Sequence, residues 1–203
     1  MGLDITGYSE VELLQADTEE IGCIWEWRDH FEEEYPDSGP TTMLYMNRSF
    51  PEQSGDLVDG VYTYYNTDDA YLRVGYSFWS NIRNLLAKAC GYKKANIIDI
   101  ALTAPEILDD DNHWWRMRVE SHPYQQSAFN KDGSNRLHYL LNFSDCEGVI
   151  DNEHCKIIYE DLLWLKGKDK ENPCIDESLS VVFNKLLELF SFVANNNGVV
   201  KFH

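Results

Sequence analysis

At 203 residues, with 43% hydrophobic and 13% aromatic residues, the chain is long enough and apolar enough to bury a core, which excludes a wholly disordered protein. Its formal net charge of −18 excludes a protein that grips nucleic acid over its whole surface. No apolar run approaches the roughly 20 residues of a membrane span.

The five cysteines (Cys23, Cys90, Cys146, Cys155 and Cys174) are odd in number and irregular in spacing, and no C-x-x-C occurs. That pattern argues against a disulfide framework or a zinc ribbon and for reduced thiols in a cytosol. The opening MGLDITGYSE lacks a basic segment followed by an apolar one, so no signal peptide is expected. The expectation is one α+β domain over residues 1–203, with 106–135 as a possible insertion.

In chain order, Leu3 and Ile5 on one face of Leu3–Tyr8 predict a strand, continued by Val11 and Leu13 and paired inside the sheet. Glu10 to Asp37 is an acidic block in which Arg28 is the only Lys or Arg, and its apolar pattern fits a helix or a strand equally. Tyr35 to Pro40 ends it. Thr41 to Tyr45 reads as a short strand and Pro51 to Gly60 as a loop. Val61 to Tyr65 and Tyr71 to Tyr76 read as antiparallel partners about a turn at 66–69. A helix is predicted from Trp79 to Cys90, striped by Ile82, Leu85, Leu86 and Ala89 and capped by Gly91.

Ile97 to Leu102 fits a buried strand or a short helix, Glu106 to Asn112 an acidic loop, and Trp114 to Val119 a strand. Leu137 to Phe143 reads as a buried strand stopped by the polar turn Ser144-Asp145-Cys146-Glu147-Gly148. Asp151 caps a helix to about Lys166, striped by Cys155, Ile158, Leu162 and Leu165. After a charged connection, Asp176 caps a last helix that carries Leu179, Val182, Phe183, Leu186, Leu187, Phe190 and Val193 at helical spacing. Asn197-Gly198 stops it, and Val199 to His203 forms a final strand. The fold class expected is α+β, an antiparallel or mixed sheet packed by about three main helices.

Three features could carry chemistry. In the Ser144–Gly148 turn, Asp145 and Glu147 could act as acid and base or accept hydrogen bonds from a ligand, and Cys146 could be a nucleophile if its pKa were lowered. The same turn reads equally as a capping turn in which Gly148 permits φ > 0. Second, no Asp or Glu occurs between Leu72 and Ile98, whereas Arg73, Arg83, Lys88, Lys93 and Lys94 all do. There Gly75-Tyr76-Ser77 leads into a helix whose N-terminus suits an anion, so Arg73 or Arg83 could clamp a phosphate. The plainer reading is that these cations balance acids elsewhere. Third, Tyr62, Tyr64, Tyr65, Tyr71, Tyr76, Phe78 and Trp79 crowd one region; Tyr64 could stack a base, although core packing is the commoner role. Cys146, His154, Cys155 and His138 lack standard zinc spacing. No P-loop, G-x-G-x-x-G, G-x-S-x-G or H-E-x-x-H occurs, and no cofactor is expected.

The opening MGLDITGY, the segment Asn142-Phe-Ser-Asp-Cys-Glu-Gly-Val-Ile150, the stretch Val74-Gly-Tyr-Ser-Phe-Trp-Ser-Asn81 with Cys90-Gly-Tyr92, and the ending Asn197-Gly-Val-Val-Lys-Phe-His203 together resemble a family of small soluble phage and prophage proteins. That family's middle motif has small residues where Phe78-Trp79 stand here. The resemblance supplies a phage context and a site location, and no activity. The expectation that follows is a protein of the infected bacterial cytoplasm, assembled as a homo-oligomer. It would sequester a phosphorylated, nucleotide-derived signal of host defence through Tyr64, Arg73, Tyr76, Ser77, Arg83, Ser144, Asp145 and Glu147. The alternatives are an acidic inhibitor that mimics DNA toward a host protein, and a nucleotide-cleaving enzyme that uses the turn with His138. Membrane and direct nucleic-acid partners are not expected.

Overall fold

The computed structural model describes residues 2–16, 42–46, 51–65, 70–90, 93–94, 124–125, 136–141, 143, 148–171, 173–175 and 177–203. Most of the acidic block, the turn 66–69, Gly91, residues 97–123, residues 144–147 and Asp176 lie outside them.

The first strand, β1 (Gly2–Ala16), is 15 residues long. Its alternation turns Leu3 and Ile5 inward, both fully buried, and Asp4 and Thr6 to the opposite face. One edge of β1 takes β8 (Val199–Phe202), antiparallel, with Ile5 opposite Phe202 and Tyr8 opposite Val199. β7 (Gly148–Ile150) then pairs with β8. The other partners of β1 are β3 (Gly60–Tyr65) and β4 (Tyr71–Gly75), also antiparallel, and β2 (Thr42–Met46) lies outside β3. The six strands form an open sheet ordered β2-β3-β1-β8-β7, with β4 also on β1.

β3 and β4 are therefore not the hairpin that the sequence predicts. They run in series along β1, Tyr65 opposite Ser9 and Tyr71 opposite Thr6. A 15-residue strand has room for both, and this pairing sets Leu72 and Val74 directly beside Ile5 and Leu3 in the core.

Among the described residues, three long helices cover the inward face: α2 (Tyr76–Cys90), α4 (Asn152–Glu171) and α5 (Glu177–Asn195). α1 (Pro51–Ser54) and α3 (His138–Leu141) are single turns, and β5 (Lys93–Lys94) pairs with β6 (Tyr124–Gln125). The fold is thus α+β with an antiparallel sheet. All seven apolar residues predicted for the last helix are buried. α5 sits so close to β1 that a Cβ on Gly7 would come within 2.7 Å of Val193. Past α5, Asn197 at φ +45 and Gly198 turn the chain into β8, and a Cβ on Gly198 would stand 2.0 Å from the Tyr8 carbonyl oxygen. Asp151 caps α4 as expected, accepting the His154 N–H at 2.8 Å, and Cys155, Ile158, Leu162 and Leu165 are fully buried. α4 continues through Gly167 to Glu171, beyond the stop expected near Lys166.

Leu137 to Leu141 is a turn and a short helix, not the predicted strand. Leu137 sits at φ +58 and donates its N–H to the Asp161 carboxylate at 2.6 Å, while the Arg136 guanidinium donates to the other oxygen at 2.8 Å. Leu137, Leu140 and Leu141 are all buried at i, i+3 and i+4, the spacing of one helical turn. A short apolar run satisfies that geometry as readily as a strand. The Asp161 side chain is 2% exposed and that of Arg136 17%. Asp161→Ala removes the acceptor of both the Arg136 and the Leu137 hydrogen bonds, so it is expected to destabilise the fold by about 3–5 kcal/mol in denaturant melts.

Candidate functional site

Because Leu72 and Val74 point into the core, Tyr71, Arg73 and Gly75 share the outer face of β4. Register sets them beside Thr6, Asp4 and Gly2 respectively. On the other side of β1, Asp4 exchanges two backbone hydrogen bonds with His203, both 2.9 Å, and Thr6 lies opposite Lys201. The outer face thus carries three rows: Gly75–Gly2, Arg73–Asp4–His203 and Tyr71–Thr6–Lys201. The Tyr71 hydroxyl donates to Asp4 Oδ1, and Arg73 Nε lies 3.5 Å from the same oxygen. Thr6 Oγ1 and His203 Nε2 are 3.0 Å apart.

Gly2 and Gly75 leave the first row without side chains. A Cβ on Gly75 would meet nothing within 4 Å, and one on Gly2 would touch Arg73 Nε at 3.4 Å. Arg73, 68% exposed, stands beside this bare floor. α2 begins at the next residue, Tyr76, with no acid in its first turn. The first N–H groups of a helix have no partners within the helix and carry partial positive charge. Arg73 and the open floor thus lie on the last residues of β4, which lead directly into the start of α2 at one corner of the sheet.

Of the residues singled out from the sequence, Arg73, Tyr76 and Ser77 belong to this corner; Ser77 is exposed and Tyr76 is half-buried against the core. Arg83 projects from α2, which packs on the inward face, and donates through Nη1 to the Phe143 carbonyl at 2.7 Å. It secures the segment just before Ser144. Arg73 and Arg83 thus belong to different layers. Tyr64 packs edge-on against Tyr8, ring centroids 4.5 Å apart, beside a small cluster of Tyr8, Met46, Tyr62, Val149 and Val199. Ser144, Asp145, Cys146 and Glu147 lie outside the described residues. Gly148, which follows them, has φ +128, a conformation that favours glycine.

Cys155 is fully buried, and burial pushes its thiol well above the usual range. Burial also pushes the Cys90 thiol up to about 12. Neither can supply a thiolate nucleophile at neutral pH. Among the described residues no three His, Cys, Asp or Glu side chains cluster as a metal site would need.

Sequence reasoning missed two groupings. Asp4, Thr6, Lys201 and His203 come from opposite ends of the chain, and strand alternation alone could have placed them on the outer face. The second follows β7: Asp151 Oδ1 lies 2.6 Å from His154 Nδ1, and the Tyr139 ring packs edge-on against the imidazole at 4.3 Å. His138 stacks edge-on with Tyr139 in turn, at 5.3 Å. Gly55, at φ +55, passes so close that a Cβ there would stand 1.9 Å from Asp151 Oδ2. A D-x-x-H at a helix start was the available signal.

Desolvation first, and the Lys201 ammonium second, hold the His203 imidazole below its ordinary value of 6.5. The folded state therefore binds fewer protons at this group than the unfolded chain. Its contribution is intact above about pH 6.5 and is lost as pH falls through that value toward the lower folded pKa. Thermal melts between pH 8 and pH 5 are expected to show a smaller acid loss in His203→Gln than in the wild type. Compared with known proteins, the chain matches no family model, no curated protein and no solved structure.

Proposed function

We propose that the protein is a binding module that sequesters a small phosphorylated, nucleotide-derived molecule, in the setting of a phage protein acting against a host defence signal in the bacterial cytoplasm. In this reading it works as a homo-oligomer that returns its ligand unchanged. The observation that carries the reading is the corner where Arg73, the bare Gly2–Gly75 floor and the start of α2 meet. A phosphate there gains a charge-assisted contact from the guanidinium and backbone N–H donors from the helix, and meets no side chain on the floor. The rest of the chain is strongly acidic, so a local cationic corner also selects where an anion docks.

A second reading, an enzyme acting on such a molecule, is favoured by the Asp151–His154 pair. A carboxylate bonded to Nδ1 orients the ring and leaves Nε2 as a proton acceptor, the arrangement of a general base. Recovery of the ligand intact or altered separates the two readings.

Native mass spectrometry with adenosine and guanosine mono- and triphosphates and cyclic dinucleotides tests the first reading. Wild-type protein is expected to retain a nucleotide that is released unaltered, and Gly75→Glu to lose it. The glutamate has open space to occupy, and an acid beside a helix N-terminus is neutral or slightly stabilising, so the melting temperature should not fall. Undiminished binding by Gly75→Glu contradicts the proposal.

A further inference from the structure

β1 outruns its partner on one edge. β8 covers Ile5 to Tyr8 there, and the Asn196 and Asn197 carbonyls then accept the N–H groups of Glu10 and Val11 at 2.8 and 3.2 Å. A register shift between Ser9 and Glu12, with Glu10 at φ +49, accompanies this change of partner. Past Val11 the strand goes on to Ala16, and its one strand partner among the described residues is β3, on the other edge. Leu14 lacks even a β3 counterpart, because a second register shift falls between Leu13 and Gln15. A strand with one edge open presents a row of N–H and C=O groups with which another extended chain can pair.

The side chains of this overhang select the kind of chain that fits. Leu13 is 47% exposed and Leu14 40%, an adjacent apolar pair outside both core clusters. Glu10 and Glu12 are exposed beside them. The overhang also opens the stretch 10–37, in which eleven acids face Arg28 as the only Lys or Arg. A second copy of the chain would bring its own Glu10 and Glu12 against these acids in a protein of net charge −18, whereas basic residues would meet them favourably. Glu12 and Leu13 point to opposite faces by strand alternation, and cross-strand neighbours share a face, so the matching chain alternates basic and apolar residues. We propose that the Glu12–Ala16 edge of β1 is a docking surface for an extended basic segment of another protein. The segment adds as a further strand, with its basic residues beside Glu10 and Glu12 and its apolar residues against Leu13. This surface lies at the opposite end of β1 from Gly2 and is independent of the phosphate corner.

Calorimetry with three short acetylated peptides tests it: alternating lysine and valine, alternating glutamate and valine, and the lysine–valine sequence with every backbone N–H methylated. The wild type is expected to bind the first at least about tenfold more tightly than either of the others, the effect of about two backbone hydrogen bonds or of a reversed charge. Leu13→Lys should weaken that binding by about fivefold or more, because it sets a cation against the apolar residues of the peptide. Leu163→Lys, which adds the same charge at an exposed position on α4, should leave it within about twofold. Both positions are exposed, so both variants should melt as the wild type does. Equal binding of the methylated peptide shows attraction to the acidic surface at large and overturns the strand-addition inference. Equal effects of the two lysine substitutions overturn it too, as does failure of the wild type to bind the lysine–valine peptide. A wild type that dimerises with concentration and is returned to monomer by Leu13→Lys assigns the edge to a second copy, and that outcome also overturns the proposal.

Discussion

One strand, β1, is hydrogen-bonded along both edges, and nearly every other element takes its place from it. β8 lies on one edge and β4 and β3 follow one another along it, so strands from both ends of the chain converge on residues 2–16. The approach of α5 adds a steric condition at Gly7, and the turn into β8 adds another at Gly198. Because side chains alternate strictly, fixing Leu3 and Ile5 in the core also fixes Asp4 and Thr6 on the outside. The polar rows on the outer face are therefore a by-product of burying the inner one. The aromatic cluster around Tyr8, Met46 and Tyr62 covers one part of that outer face, and the part around Gly2, Arg73 and Gly75 stays accessible.

Magnitudes separate the two arginine–aspartate pairs. Arg136 and Asp161 are largely buried, and Asp161 also holds the Leu137 backbone in its left-handed conformation. Breaking such a pair costs several kcal/mol, so its role is structural. Arg73 and Asp4 meet at 3.5 Å with Arg73 68% exposed. An exposed pair of that kind contributes about 0–1 kcal/mol. Stability gives little reason for Arg73 to stand there, which leaves its exposed charge for a partner. Arg83, tied to the Phe143 carbonyl, belongs with the structural group and explains why the two basic residues do not act together.

The parts of the fold legible in the sequence are those written in local periodicity. The α5 stripe, the Asp151 cap with Cys155 and Ile158 beneath it, and the inward pair Leu3 and Ile5 all follow from spacing. What spacing cannot carry is partner choice. Val61–Tyr65 and Tyr71–Tyr76 look like a hairpin because nothing local says that a longer strand waits for both. Leu137–Phe143 looks like a strand because its apolar residues satisfy either period, and the deciding group, Asp161, lies more than twenty residues away. The candidate site was half legible for the same reason. Arg73, Tyr76 and Ser77 lie within five residues and are readable, whereas Asp4, Lys201 and His203 join them only through strand register.

The central claim is that an anion docks where Arg73, the Gly2–Gly75 floor and the start of α2 meet. The most direct measurement is a two-dimensional amide NMR titration of the isotopically labelled protein with cyclic di-AMP. Saturable shifts are expected at the amides of Gly2, Gly75, Tyr76 and Ser77. Shifts confined to residues around Asp151 and His154, with the Gly75–Ser77 amides unmoved, would contradict it and place the site at the start of α4.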